Sequence, residues 1–237
     1  MFKINDNKKI KLFLDGPDLE LIKLNSNSLV DGYTFNPTLF RKLGVKNYIN
    51  FCHEILLIEK NKPISFEVLS DTENKMIDEA IAISDLSNNS WVKIPITFTN
   101  GQSTINVINK IKDHVKLNIT AIFTIDQIKT ILDDISSTKS ILSIFGGRLY
   151  DIGVDAAKII RKVSEYVHQN SNCELLWASP RMSYDIISAI ECGCDIITMP
   201  NNLIKKLELF NLSPDEYSLQ TVKMFYNDAI RSNYKII

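Results

Sequence analysis

Short apolar runs separated by amphipathic stretches recur about eight times along this chain, and no other feature constrains its fold as strongly. The runs are Ile10 to Leu14, Val30 to Phe35, Ile64 to Leu69, Trp91 to Ile96, Leu117 to Phe123, Ser140 to Phe145, Glu174 to Ala178 and Asp195 to Met199. Runs of this length, rich in Ile, Val and Phe and bounded by polar residues, read as strands buried on both faces, as in parallel sheets. The stretches between them carry helical periodicity. Asn74 to Ser84 places Met76, Ile77, Ala80, Ile81 and Ile83 on one broad apolar face, and Val154 to Val167 does the same with Ile159, Ile160, Val163 and Tyr166, as does Ser183 to Glu191. Ser70 to Glu73, Asn100 to Ser103 and Thr124 are polar starters suited to helix N-caps. Eight strand–helix repeats in 237 residues predict a single (β/α)8 TIM barrel of compact size. A doubly wound open sheet competes, but the turn Asp15-Gly16-Pro17-Asp18 is not the glycine pattern of a dinucleotide site. No linker or low-complexity tract divides the chain, so one domain is expected over 1–237, with 213–237 as a C-terminal helical segment.

Composition narrows the function classes. A formal net charge of -1 offers no electrostatic case for binding nucleic acid or an anionic membrane. The N-terminal segment lacks the apolar core of a signal peptide and no apolar run reaches transmembrane length, so a cytoplasmic location is expected. Of the four cysteines only Cys192 and Cys194 are close, and C-x-C without a second pair or a nearby histidine is a weak metal signal. His53, His114 and His168 are scattered. No metal and no cofactor are expected.

The chemistry is carried by polar residues inside or just beyond the apolar runs. Lys93 stands in the middle of Trp91-Val92-Lys93-Ile94-Pro95-Ile96. An unpartnered ammonium buried there would cost several kcal/mol, on the order of 2.5 or more. Desolvation of a lysine frees a neutral amine able to attack a carbonyl and form a Schiff base; the bland alternative is a lysine that snorkels to water along its own stem. In a barrel, the C-terminal strand ends carry the site. There the chain has Asp15, Thr34 and Asn36, Glu67, Asn118 and Thr120, Ser143 with Phe145 and Arg148, and Ser179 with Arg181. Taken singly, most have ordinary readings as turn formers or surface charges. Together they would ring one barrel mouth. Lys93 would form an iminium that acts as electron sink, Asp15 or Glu67 would move protons, directly or through a water held by Thr120, and the arginines with Ser179 would clamp a phosphate.

These residues sit in motifs that resemble the transaldolase family in order and spacing. The motifs are Leu12-Phe13-Leu14-Asp15, Gly32-Tyr33-Thr34-Phe35-Asn36-Pro37-Thr38, Val92-Lys93-Ile94-Pro95-Ile96-Thr97, Asn118-Ile119-Thr120, Gly147-Arg148, Ala178-Ser179-Pro180-Arg181 and Gly193 to Pro200. The resemblance implies a (β/α)8 barrel working as a class I, Schiff-base enzyme on sugar phosphates. It implies Lys93 as the Schiff-base lysine, Asp15 as acid/base, Asn36 and Thr120 as substrate- and water-positioning residues, and Arg148, Ser179 and Arg181 around the phosphate. Glu67 and Phe145 are similar to the transaldolase branch, whereas the fructose-6-phosphate aldolase branch has Gln and Tyr there. The chain departs from the family pattern at Gly16-Pro17, at Gly146-Gly147 and at Pro180, which leaves a related acidic sugar such as a sulfonate open as substrate. A non-catalytic sugar-phosphate binder is the alternative from another class. Apolar Val222, Phe225 and Ile230 near the C-terminus suit packing within the chain or on a second copy in a homo-oligomer.

Overall fold

A computed structural model describes residues 2–5, 8–25 and 30–237. Nine strands occur among the described residues: β1 (Phe2–Asn5), β2 (Lys8–Asp15), β3 (Gly32–Thr34), β4 (Ile64–Glu67), β5 (Ser90–Pro95), β6 (Leu117–Ile122), β7 (Ile141–Ile144), β8 (Glu174–Trp177) and β9 (Ile196–Met199). Strands β2 to β9 follow one another in parallel, and β9 pairs back onto β2, with Lys11 opposite Ile196 and Leu14 opposite Met199. That pairing closes the sheet and makes the fold the (β/α)8 barrel that the alternation predicts. β1 is an antiparallel addition to β2. Two compact units emerge, residues 1–201 and residues 202–237.

The period-2 alternation of a strand sorts each barrel strand into inward and outward residues. Outward residues such as Leu12, Leu14, Val92, Ile94, Ile119 and Leu175 are almost fully buried, which a half-solvated strand could not be. Inward, Phe13, Ile141, Leu176, Ala178 and Ile196 form a packed cluster with Trp91 and Phe145 against it. Each such fully buried side chain contributes about 1.5–3 kcal/mol. Gly32 has to be glycine for this floor to exist, because a Cβ there would lie 2.6 Å from the Phe13 ring. Lys11 and Glu174 pair toward the N-terminal ends of β2 and β8.

The three stretches read as amphipathic all contain helices, at Glu73–Ser84, Ala156–Asn170 and Asp185–Glu191. The helix Glu73–Ser84 buries Met76, Ala80 and Ile83, and the helix Ala156–Asn170 buries Ile160, Val163 and Val167. Ile81, expected on the buried face of the former, is 45% exposed, since a strip of three buried positions already covers that helix's contact with the barrel. Thr124 caps the helix Ile125–Lys129 through a reciprocal box with Gln127, as its type suggests. The start expected at Asn100–Ser103 falls instead at Thr104, because the residues before it make a turn in which Thr97 bridges Ser103. In the second unit, the helix Pro214–Arg231 opens with a Ser213/Glu216 capping box and buries none of its residues. All four cysteines are buried free thiols. Among the described residues no helix is long and apolar enough to cross a membrane.

Candidate active site

The C-terminal strand ends surround a cavity of about 580 Å³, lined among others by Asp15, Asn36, Lys42, Glu67, Ala121, Phe145, Arg148, Ser179 and Arg181. Seven of these were legible in the sequence as site candidates; Lys42 and Ala121 were not. The remaining candidates, Lys93, Thr34, Asn118, Thr120 and Ser143, lie below the cavity wall and are each 5% exposed or less.

Strand register explains why Lys93 meets a carboxylate. Lys93 is the β5 partner of Glu67 at the end of β4 and of Asn118 on β6, so all three point to the barrel interior at neighbouring heights. Lys93 Nζ lies 3.1 Å from Glu67 Oε2 and donates to the Phe35 carbonyl at 3.2 Å. The buried ammonium is therefore partnered, which removes most of the cost that an isolated charge would carry. Tyr48 fixes the far side of this pair by donating its hydroxyl to the Glu67 carbonyl.

Asp15 ends β2, level with Thr34 on β3. The Thr34 hydroxyl donates to Asp15 Oδ1 at 2.7 Å. Because that spends the Thr34 proton, the contact between Thr34 and Thr198 must have Thr198 as donor. A chain Thr198–Thr34–Asp15 thus aims the carboxylate. Burial raises the Asp15 carboxyl above its ordinary 3.8, opposed by the Lys93 charge and the Thr34 hydrogen bond. Part of its surface still opens onto the cavity, so a proton can reach it. Thr198 stands in the stretch Gly193 to Pro200, yet nothing in the sequence distinguishes it from a strand-filling threonine.

Asn118 and Ser143 belong to a second interior network. Asn118 Nδ2 donates to Ser65 Oγ at 3.0 Å, and the Ser143 hydroxyl donates to Asn118 Oδ1 at 2.6 Å. Thr120 differs from them: its buried Oγ1 has no hydrogen-bond partner among the described residues. A buried hydroxyl left this way costs about 1–3 kcal/mol unless water or a ligand meets it. Next to it Ala121 adopts φ 59°, a left-handed conformation costly for a residue with a Cβ, where the β6–β7 register shifts.

The side of the cavity that carries the two arginines is built from the ends of β7 and β8. Phe145 follows β7 as the N-cap of the helix Gly146–Asp151, stacking on Phe123 with the Arg148 guanidinium 5.5 Å from its ring centroid. Ser179, beyond β8, holds φ 60°. Its carbonyl presses so close to Gly147 that a Cβ there would lie 1.6 Å away, and a Cβ on Gly146 would meet the Trp177 indole at 2.4 Å. The two glycines at which the chain departs from the pattern it resembles are therefore required by this packing. Asp185 receives the backbone N–H groups of Arg181 and Met182, fixing the turn that carries Arg181. Among the described residues no group of three or more His, Cys, Asp or Glu side chains could hold a metal.

Comparison with known proteins places this geometry. The family model described as transaldolase/fructose-6-phosphate aldolase matches residues 12–233. The chain belongs to that family. A protein named probable transaldolase in Methanococcus maripaludis is 34% identical over 200 residues, 84% of this chain and 89% of that protein. A probable transaldolase of Streptococcus pyogenes serotype M5 is equally similar and is covered to 90%. Among solved structures, 2,3-dimethylmalate lyase superposes with a TM-score of 0.60 at 10% identity, covering 98% of this chain and 86% of its own. Thiamine phosphate pyrophosphorylase from Pyrococcus furiosus gives 0.55 at 12% identity over 83% and 88%. Such distant likenesses speak for the barrel alone.

Proposed function

We propose that this member of the family is a transaldolase, transferring a dihydroxyacetone unit from a ketose phosphate to an aldose phosphate through a Schiff base on Lys93. The observation that carries the proposal is a buried lysine facing one carboxylate at 3.1 Å and sharing its surroundings with a second, protonatable one. The Lys93 ammonium passes a proton to Glu67, the neutral amine adds to the C2 carbonyl of the donor, and Glu67 returns that proton to the carbinolamine hydroxyl, which leaves as water to give a cationic iminium. Asp15 takes the proton of the C4 hydroxyl as the C3–C4 bond breaks, its electron pair flowing into the iminium to leave an enamine. The aldehyde departs; the acceptor aldehyde then takes its place, the enamine carbon attacks it, and Asp15 returns the proton to the new hydroxyl. A carboxyl held above its ordinary range by burial is suited to both directions of that exchange. The orphan Thr120 hydroxyl and Glu67 would hold the water that enters and leaves at the iminium.

The lyase alternative, release of free dihydroxyacetone, would need efficient protonation of the enamine. Phe145 at the cavity offers no hydroxyl for that, which favours transfer. A non-catalytic sugar-phosphate binder would have no use for a buried amine between carboxylates.

The test is borohydride reduction in the presence of fructose 6-phosphate, read by intact mass and peptide mapping. A three-carbon adduct on Lys93, absent from Lys93→Met, is expected. An adduct on another lysine, or none at all, would overturn the mechanism.

A further inference from the structure

Asp15 keeps part of its surface open to the cavity, yet burial is the strongest influence on its carboxyl. Apolar matter must therefore stand where water would otherwise gather around it. The polar neighbours do not supply it: Lys93, the Thr34 hydroxyl and Lys42 favour the charged form, and Glu67 opposes it only by its own charge. The turn that follows Asp15 points to the group that does. Gly16 donates its N–H to the Thr34 carbonyl at 2.9 Å and holds φ 61°. A Cβ on Gly16 would lie 2.7 Å from Leu39 Cδ2, 3.0 Å from Cδ1 and 3.1 Å from Cγ, so the Leu39 isobutyl group occupies the place of a side chain at residue 16. Leu39 is half-buried and lines the cavity together with Asp15. Its backbone is fixed in the helix Pro37–Lys42, where its N–H donates to Oδ1 of the N-cap Asn36 at 3.0 Å and its carbonyl accepts from Leu43 at 3.0 Å. Gly16 is also a position at which the chain departs from the pattern it resembles, and any side chain there would displace Leu39.

We propose that Leu39 is a positioning residue for the reaction: seated on Gly16, its isobutyl group keeps water off the Asp15 carboxyl and so keeps that group a strong enough base to take the C4 hydroxyl proton. The inference rests on the reading of Asp15 as the acid/base of this cavity. Leu39 acts through Asp15, because hydration stabilises the charged form of a carboxylate and weakens it as a base, and hydrocarbon beside it does the reverse. Of the other apolar residues lining the cavity, Ala121, Phe123 and Phe145 stand on or beyond β6 and β7, across the barrel from β2. Pro200, which follows β9, shares the wall near β2, but the contact with Gly16 belongs to Leu39. Glycine at 16 thus gives up a side chain of its own and lets an apolar group from a different element reach the carboxyl.

Urea unfolding at pH 4 and pH 8 of the native protein, Leu39→Ala, Asp15→Asn and the double variant separates packing from hydration. Lost packing of Leu39 costs the same at both pH values, whereas water admitted to Asp15 helps only where that carboxyl is charged. A folded carboxyl raised above its unfolded value loses stability as pH rises, so relief of its burial shows at pH 8 and not at pH 4. The stability lost in Leu39→Ala is therefore expected to be about half as large at pH 8 as at pH 4. In the Asp15→Asn background the same substitution should cost equally at both. Turnover against pH gives the second readout: in Leu39→Ala the acid limb should move to lower pH by about half a pH unit or more, with a several-fold lower plateau, and Leu39→Met should restore the native profile. A cost of Leu39→Ala that is equal at pH 4 and pH 8 with Asp15 present, or an acid limb that stays in place, would overturn the proposal. The unfolding cycle contains no substrate, so its failure refutes the role of Leu39 alone, while the Schiff-base reading stands or falls with borohydride trapping on Lys93.

Discussion

Replacing Asp15 by Asn should abolish transfer yet make the protein more stable near neutral pH. The reasoning runs through the balance at that carboxylate. Its burial is the largest influence and disfavours the charged form; the Lys93 charge and the Thr34 hydrogen bond favour it but do not win, so the folded carboxyl sits above 3.8. Between the ordinary aspartate range and the raised folded value, the native state holds more protons than the unfolded chain. Native stability therefore falls as pH rises through that window, and above it the full penalty of the buried charge is present. Asparagine keeps the Oδ1 acceptor for Thr34 and drops the charge. Lys93 retains Glu67 at 3.1 Å, so no uncompensated ammonium is created. Relief of an incompletely satisfied buried charge is worth about 1–3 kcal/mol, and for a chain of this size that raises the melting midpoint by a few degrees. Thermal unfolding of native protein and Asp15→Asn from pH 4 to 8 would measure it. The variant should gain most at pH 7–8 and lose its advantage at the acid end, where native Asp15 becomes protonated. A variant that is less stable at neutral pH, or a difference independent of pH, would refute the claim that desolvation dominates at this site.

Gly147→Ala should cost about 3 kcal/mol or more in urea unfolding, since the new methyl group falls on the Ser179 carbonyl and backbone cannot rotate away as a side chain can; a loss under about 1 kcal/mol would show that the Ser179 turn relaxes easily. Thr198→Val removes the donor that spends itself on Thr34, for a loss of about 0.5–1.5 kcal/mol together with slower turnover, while Thr198→Ser should behave as native. Equal turnover in the valine variant would remove Thr198 from the chain that orients Asp15. Phe145→Tyr puts a proton donor at the cavity and should raise the release of free dihydroxyacetone when no acceptor is supplied, followed in a coupled assay; an unchanged rate would mean that residue 145 does not govern the fate of the enamine.

The sequence by itself determined the architecture and proposed which polar residues would meet at one barrel mouth. Period-2 and period-3.6 hydrophobicity are local signals, and they suffice for strands and helices in order; a polar residue inside an apolar strand, as at Lys93, is visible for the same reason. Motif order then names Asp15, Glu67 and Lys93 together. What the tertiary structure alone decided is partnership. That β9 returns to β2 brings Thr198 to Thr34, residues separated by almost the whole barrel, and no local pattern encodes that contact. The same holds for the two arginines: Arg148 and Arg181 look alike in sequence, but the structure hydrogen-bonds Arg181 to Asp151 and lays Arg148 over the Phe145 ring. The left-handed Ala121 and Ser179 were invisible because neither residue type favours that conformation, and only closure of the barrel imposes it. Gly146 and Gly147 read as departures until the Trp177 ring and the Ser179 carbonyl are seen to fill the space their side chains would occupy. Periodicity reports how each residue meets the core; which charges are spent on one another is a property of distances that only the folded chain defines.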